Sequence, residues 1–325
     1  MKKSRIILFI LALIGLAGCT STDEIKILRL AHGLDTSHPV HKAMERLGES
    51  LKERSGGTLN VRIYPNGQLG GERESIELLQ IGSLDVAKVS AGVLENFIPE
   101  YKVFSVPYLF NDKAHTHEVY DGQVGKTILD KGEQFNLKGL TFYDAGSRSF
   151  YTKSALINSP DDVVDKKIRV MKSNMSINMI NDLGGAPTPI SFGELYTALQ
   201  QGVVDGAENN IPSFYTSKHF EVCKYLSLDE HTSVPDVLVI GTGTLSRLNE
   251  KELQWLEAAV QDSKILQRKL WDDSEKECLA LAKESGVQVA YPDKKPFQEA
   301  TKGLVEEYKK DPLLGDLIRS IQKQP

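Results

Sequence analysis

Two arginines in this chain stand where an arginine needs a partner: Arg148 in AGSRSFYTK and Arg169 in KKIRVMKSN, each in an apolar or aromatic setting at the edge of an expected strand. In the second stretch Ile168 and Val170 point one way and Arg169 and Met171 the other, so the guanidinium shares a face with a bulky apolar side chain. A buried guanidinium without a carboxylate is costly. The nearby chain offers only Asp144 and the Asp161-Asp162 turn as mates. Two chemistries fit. One is an internal ion pair to a distant Glu or Asp, the commoner fate of a buried arginine. The other is a clamp for a ligand carboxylate, which the planar fork matches through two parallel charge-assisted bonds.

Other patterns that could carry chemistry are thin. The chain has no G-x-S-x-G elbow, no G-x-x-x-x-G-K-[ST] loop, no G-x-G-x-x-G and no H-E-x-x-H. Its seven histidines are dispersed. His115 and His117, two apart on an expected helix, face different sides, which is poor metal geometry; a solvated face is the better account. His32, His38 and His41 lie near the end of the first expected strand and the start of the next helix, where sheet-end sites form, but they lack the cysteine or carboxylate neighbours of a metal set. No metal and no cofactor is expected. An exported enzyme acting on sugar acids would need an acid-base pair near the arginines, and a sensory module would present the same ligand to a membrane receptor.

The elements that must position these arginines begin after a leader-like segment. Lys2, Lys3 and Arg5 precede the apolar run IILFILALIGLA, which suits a signal-peptide core and is shorter than the roughly 20 residues of a membrane span. The string LAGC, Leu16 to Cys19, resembles a bacterial lipobox, so residues 1–18 are expected to be a lipoprotein signal peptide, Cys19 a lipidated N-terminus anchoring the chain to a membrane, and 19–24 a tether. Cys223 and Cys278 each sit in a helical-looking apolar pattern and are expected as separate buried thiols. The chain has 325 residues, 40% of them apolar and 26% charged, which is enough for two ordinary domains. A net charge of −5 with scattered lysines and arginines leaves no footprint for nucleic acid.

From residue 25 the pattern reads strand, helix, strand, helix, strand: IKILRLAH, a helix from His38 to Lys52, LNVRIYP, the turn PNGQLGG, ERESIELLQIG and DVAKVS. Such an opening argues for a mostly parallel sheet with ligand sites beyond the strand C-termini. Further strands are expected at GLTFYDAG, SRSFYTK, KIRVM, VVDGAENN and PDVLVIGT, with a capping box at Ser191 and Glu194. From Asn249 the helical period runs on for some 36 residues, about 54 Å, longer than one domain's usual diameter. That helix is expected to cross between domains, and the two amphipathic segments after it to return to the second domain.

The segments YPNGQLGGERESIELLQIGSLDVAKVS, YDAGSRSFYT, KKIRVM and GGAPTPISFGELYTALQQGVVDGAENN, with the long helix after them, resemble the substrate-binding subunits of tripartite ATP-independent periplasmic (TRAP) transporters. The likeness covers the chain from about Ile25 to its end. It implies a two-domain α/β fold of the periplasmic-binding-protein type II kind, with domain I at 25–145 plus 235–275 and domain II at 146–234 plus 276–325. It implies no enzyme, but a monomeric protein that closes on a small organic acid and hands it to a membrane permease.

Residue by residue, the family's carboxylate-holding arginine falls on Arg169, the second arginine on Arg148, the asparagine after V-D-G-x-E on Asn209 and the pocket aromatic on Phe192. Ser90 stands where the sialic-acid-binding branch carries a glutamate, which argues against sialic acid. AHGLDTSHPVHKAM, SRSFYTK and DEHTSVPDV look closest to the branch that binds hexuronates such as glucuronate and galacturonate; a C4-dicarboxylate or a 2-hydroxy or 2-oxo acid is the alternative cargo. The expected ligand set is completed by Met171 beside Arg169 and, from residues able to bond sugar hydroxyls, by His32, Glu74, Ser90 and Tyr215. Glu74 equally suits a helix N-terminus, and Tyr215 a core.

Overall fold

The computed structural model describes residues 25–324, so the expected signal peptide 1–18, the tether 19–24 and Cys19 lie outside the described residues. In chain order the strands are β1 (Lys26–Ala31), β2 (Leu59–Tyr64), β3 (Val86–Ser90), β4 (Leu137–Tyr143), β5 (Arg148–Thr152) and β6 (Lys167–Val170). After them come β7 (Ala186–Pro189), β8 (Gly206–Asn209), β9 (Tyr225–Thr232), β10 (Asp236–Gly241) and β11 (Gln288–Ala290). They form a five-stranded sheet in the order β2-β1-β3-β10-β4 and a six-stranded sheet in the order β11-β9-β5-β8-β6-β7. Each sheet is covered by helices and forms one lobe of a two-lobed α/β fold.

The expected parallel opening holds for β1, β2 and β3, and β10 then inserts antiparallel between β3 and β4. In the second sheet β6 lies parallel to β7 and β8, while β5 runs antiparallel to β8 and β9. The prolines of β7 are tolerated because β7 is an edge strand, where a missing N–H costs no ladder bond. Local chemistry sets the helix ends. Pro39 opens the helix Pro39–Ser55 behind an N-capping His38, and Gly56 stops it at φ 62°, a left-handed conformation that suits glycine.

The chain crosses between the sheets at Asp144–Ser147, at Ser233–Pro235 and through the helix Glu250–Glu284, whose 35 residues match the expected length. Asn249 and Glu252 form a reciprocal capping box at its start. Its buried face carries Leu256, Ala259, Val260, Ser263, Gln267 and Trp271 at helical spacing. Gln267 meets the first crossing in place of a strand: Asp144 N–H donates to its Oε1 at 2.8 Å, and its Nε2 donates to Asp144 O at 2.7 Å. These two bonds satisfy the backbone of a crossing residue that no sheet can reach.

Three local expectations differ from the structure. Ser191 makes no capping bond, and Phe192–Glu194 is a short 3₁₀ turn before the helix Leu195–Gln200. Of the last two helices, Lys294–Lys310 packs on β9 and on the helix Asn174–Asp182 of the second lobe, whereas Leu314–Gln322 lies on first-lobe elements. His115 and His117 are not on a solvated face. The His115 ring is buried, accepting from Asn111 N–H and donating to Ile321 O at 3.0 Å, so it anchors that last helix. His117 Nε2 meets Asp144 Oδ2 at 2.8 Å. Cys223 and Cys278 are free and buried, as expected.

Candidate ligand-binding site

The parallel strands bring their C-terminal ends to the cleft between the lobes, and the antiparallel strands bring their starts to the same edge. Asn209 ends β8, Arg148 begins β5 directly beyond the Ser149–Asn209 pair, and Arg169 lies one residue from the end of β6. On the facing sheet Asp236, the first residue of β10, is paired with Ser90, the last of β3. Between these edges lies a cavity of about 480 Å³, an ordinary volume for a small-molecule site.

Arg169 lines this cavity and is 2% exposed. Among the described residues its side chain makes one hydrogen bond, from Nε to Ile190 O at 2.8 Å, and its Nη1 is buried without a partner. Its guanidinium carbon stands 5.9 Å from the Phe192 ring centroid, and Phe192 is backed edge-on by His219. Burial pulls the Arg169 pKa below the ordinary arginine value, and among the described residues no carboxylate pairs with it to reverse the shift.

Arg148 lines the same cavity in the opposite condition. Its Nε and Nη2 bond the Glu208 carboxylate, Nη2 also reaches Glu208 O at 2.8 Å, and Nη1 donates to Asn209 Oδ1 at 2.7 Å. Behind Glu208 lies His231, its Nε2 3.5 Å from the carboxylate and its Nδ1 2.7 Å from Asp229 Oδ2. Burial disfavours the charges of Arg148, Glu208 and His231, yet attraction to their partners outweighs it. Arg148 is held above its ordinary value, His231 is raised to about 9, and Glu208 is lowered to about 2. The group is an alternating row of two cations and two anions with no net charge left over.

The first lobe supplies a third charged group. Lys88, in the middle of the buried strand β3, donates to Glu72 Oε1 at 3.1 Å and Asp236 Oδ1 at 2.9 Å. Burial opposes the ammonium, but the two carboxylates hold its pKa above the ordinary value; burial, in turn, raises that of Asp236. All three residues line the cavity. They were missed in the sequence, although a lysine inside VAKVS raises the same question as an arginine inside KIRVM.

Of the expected ligand set the structure gathers Arg169, Arg148, Asn209, Glu74, Ser90, Phe192 and Met171 around the cavity. His32 and Tyr215 are not among its lining residues. The His32 ring accepts from Leu34 N–H at 3.1 Å and turns its Nε2 to His41 Nδ1 at 3.0 Å, so it fixes the strand end that bonds the turn at Asn66 and Gly67. Tyr215 stacks on Phe220 with ring centroids 4.7 Å apart. The lobes also touch beside the cavity. Ser90 Oγ donates to Met171 Sδ at 3.2 Å, Asn96 Nδ2 to Lys172 O at 2.6 Å, and Met175 N–H to Glu95 Oε1 at 3.3 Å. With His38 Nδ1 accepting from Val40 N–H, its Nε2 donates to Ser213 Oγ at 3.2 Å.

Residues 30–311 match the model of the bacterial extracellular solute-binding proteins, family 7 (DctP). The chain belongs to this family. The solute-binding protein superposes at a TM-score of 0.89 on a TRAP periplasmic solute-binding protein from Bradyrhizobium sp. BTAi1, solved in complex with α/β-D-galacturonate; the two are 38% identical, and the match covers 91% of this chain and 99% of that one. A TRAP periplasmic solute-binding protein from Roseobacter denitrificans with bound β-D-glucuronate is 35% identical, with a TM-score of 0.89 and coverage of 92% and 100%. In sequence, the solute-binding protein is 30% identical to the 2,3-diketo-L-gulonate-binding periplasmic protein YiaO of Escherichia coli K12, over 99% of each chain. It is therefore the extracytoplasmic solute-binding protein of a TRAP transporter.

Proposed function

We propose that the solute-binding protein captures a hexuronate, D-glucuronate or D-galacturonate, with Arg169 as the partner of the ligand carboxylate, and delivers it to the membrane permease. One observation carries this reading. Arg169 is a buried cation in the cavity wall whose Nη1 has no partner among the described residues, an arrangement that folding alone leaves costly and a carboxylate completes. Arg148 is already neutralised by Glu208, so it contributes its remaining Nη1 proton and holds Asn209 in place. Phe192 offers an apolar face, and Glu74, Ser90 and Met171 approach from the walls. Our reading of the ligand set omits His32 and Tyr215, whose rings are engaged elsewhere.

Micromolar capture requires about 8 kcal/mol, while one charge-assisted bond contributes about 1.5–3 kcal/mol. Hydroxyl contacts and closure of the lobes, 25–145 with 235–275 and the last helix 314–322 against 146–234 with 276–310, supply the rest. A thermal-shift screen tests the reading, because a ligand that binds only the folded state raises its stability. Uronates are expected to raise the melting temperature most. A larger shift with a C4-dicarboxylate or a 2-oxo acid and none with uronates contradicts the assignment.

The membrane attachment is a separate part of the proposal: cleavage before Cys19 and acylation of its thiol. Mass spectrometry of the mature protein is expected to find a diacylglyceryl Cys19. An unmodified terminus at another residue rules the anchor out.

A further inference from the structure

Arg169 and the Lys88 group line one cavity from opposite lobes, and their hydrogen-bonding capacities differ in kind. Arg169 presents donors only. Lys88 has three N–H donors, of which Glu72 and Asp236 take two. Each carboxylate uses one oxygen on Lys88; among the described residues the other, Glu72 Oε2 or Asp236 Oδ2, makes no further hydrogen bond. The first-lobe wall thus presents two acceptor oxygens and one spare N–H, the complement of hydroxyl groups, which both donate and accept. A carboxylate brings acceptors only. Among the buried cavity-lining cations of the described residues, Arg169 alone lacks a carboxylate partner; Lys172, at the mouth, is exposed to screening water.

We propose that Lys88, Glu72 and Asp236 form a hydroxyl-reading wall that sets the cargo class, accepting an acid with one carboxylate and a hydroxylated far end and rejecting the matching diacid. This deepens the uronate reading and rests on it, since it takes the first carboxylate to lie on Arg169. With Asp236 ionised the wall carries a net negative charge; with it protonated, the wall is neutral and still has no unpaired cation. In both states a second carboxylate loses its water, meets two repelling acceptor oxygens and gains at most the one spare N–H of a lysine that is already paired.

The test compares acids that differ only at the far end: D-gluconate with D-glucarate, and D-erythronate with meso-tartrate, titrated calorimetrically beside D-glucuronate and D-galacturonate. The wild-type protein is expected to prefer the monoacid of any pair it binds by about 100-fold or more. In Asp236→Asn, and independently in Glu72→Gln in case the first fails to fold, uronate affinity is expected to fall about tenfold and the preference for the monoacid to shrink by at least as much. Equal or tighter binding of the diacid by the wild type overturns the wall, as does an unchanged preference in both variants. If Arg169→Gln abolishes uronate binding while neither wall variant alters it, the wall falls and the arginine partner stands. A protein that binds no uronate but prefers a short monoacid over its diacid overturns the uronate reading and keeps the wall. One that binds none of these acids overturns both.

Discussion

Arg148 and Arg169 line the same cavity from the same sheet, yet the first is closed into an ion pair with Glu208 and the second, among the described residues, bonds only a backbone carbonyl through Nε. Both chemistries open to a buried arginine are therefore present in one wall. The closed pair is architecture, and the open guanidinium is the site's unsatisfied group.

Removing either arginine separates the two roles in the ligand-free protein. Arg148→Gln leaves Glu208 buried beside His231 without its main partner, and a loss of about 3–5 kcal/mol is expected in denaturant unfolding. Arg169→Gln removes a cation without a carboxylate partner, so apo stability is expected to hold or rise. Equal destabilisation by both changes contradicts the assignment.

Glu208→Gln is expected to cost a similar amount, because it strands Arg148 in the interior. A double change of Arg148→Met with Glu208→Leu is expected to recover most of that loss, since well-packed apolar replacements of buried pairs are often neutral. Denaturant midpoints at constant slope measure it.

Stability should peak near neutral pH. His231 is raised to about 9 from an ordinary 6.5, so its contribution is full below 6.5 and is lost as pH rises through about 9. His32 and His219, held neutral by burial with pKa lowered to about 3, act oppositely: below 6.5 the unfolded chain gains protons that the folded one refuses. A melting temperature highest between about pH 6 and 7 is expected. In His231→Gln the decline toward pH 9 is expected to flatten while the acid limb stays.

Closure depends on contacts outside the cavity. Asn96→Ala removes the 2.6 Å bond to Lys172 O across the cleft, and Asn96 itself does not line the cavity. One such bond contributes about 0.5–1.5 kcal/mol, so affinity should fall about 2- to 10-fold. Stopped-flow kinetics should place the change in the dissociation rate. An unchanged rate would mean that this contact does not hold the lobes together.

Much of this was legible in the chain. Strand alternation, the helix expected from His38 to Lys52 and the long proline-free helix follow local rules, and these elements appear near where the pattern puts them, the first as Pro39–Ser55. Arg169 was visible because a charge inside an apolar strand breaks its pattern. The partner of Arg148 was not, because Glu208 lies 60 residues along the chain and reaches it through strand pairing. The same limit concealed the pairing of Lys88 with Asp236, separated by 148 residues, and the turning of His32 toward His41 rather than the cleft. Sequence reports which side chains need partners; the topology decides which partner each one meets.

The most direct measurement is a calorimetric titration of D-glucuronate and D-galacturonate into the wild-type protein and into Arg169→Gln, with folding of both checked by thermal melts. Micromolar or tighter binding to the wild type and a loss of about 100-fold or more in the variant are expected. Equal affinity in the two proteins would contradict the claim that Arg169 is the partner of the cargo carboxylate.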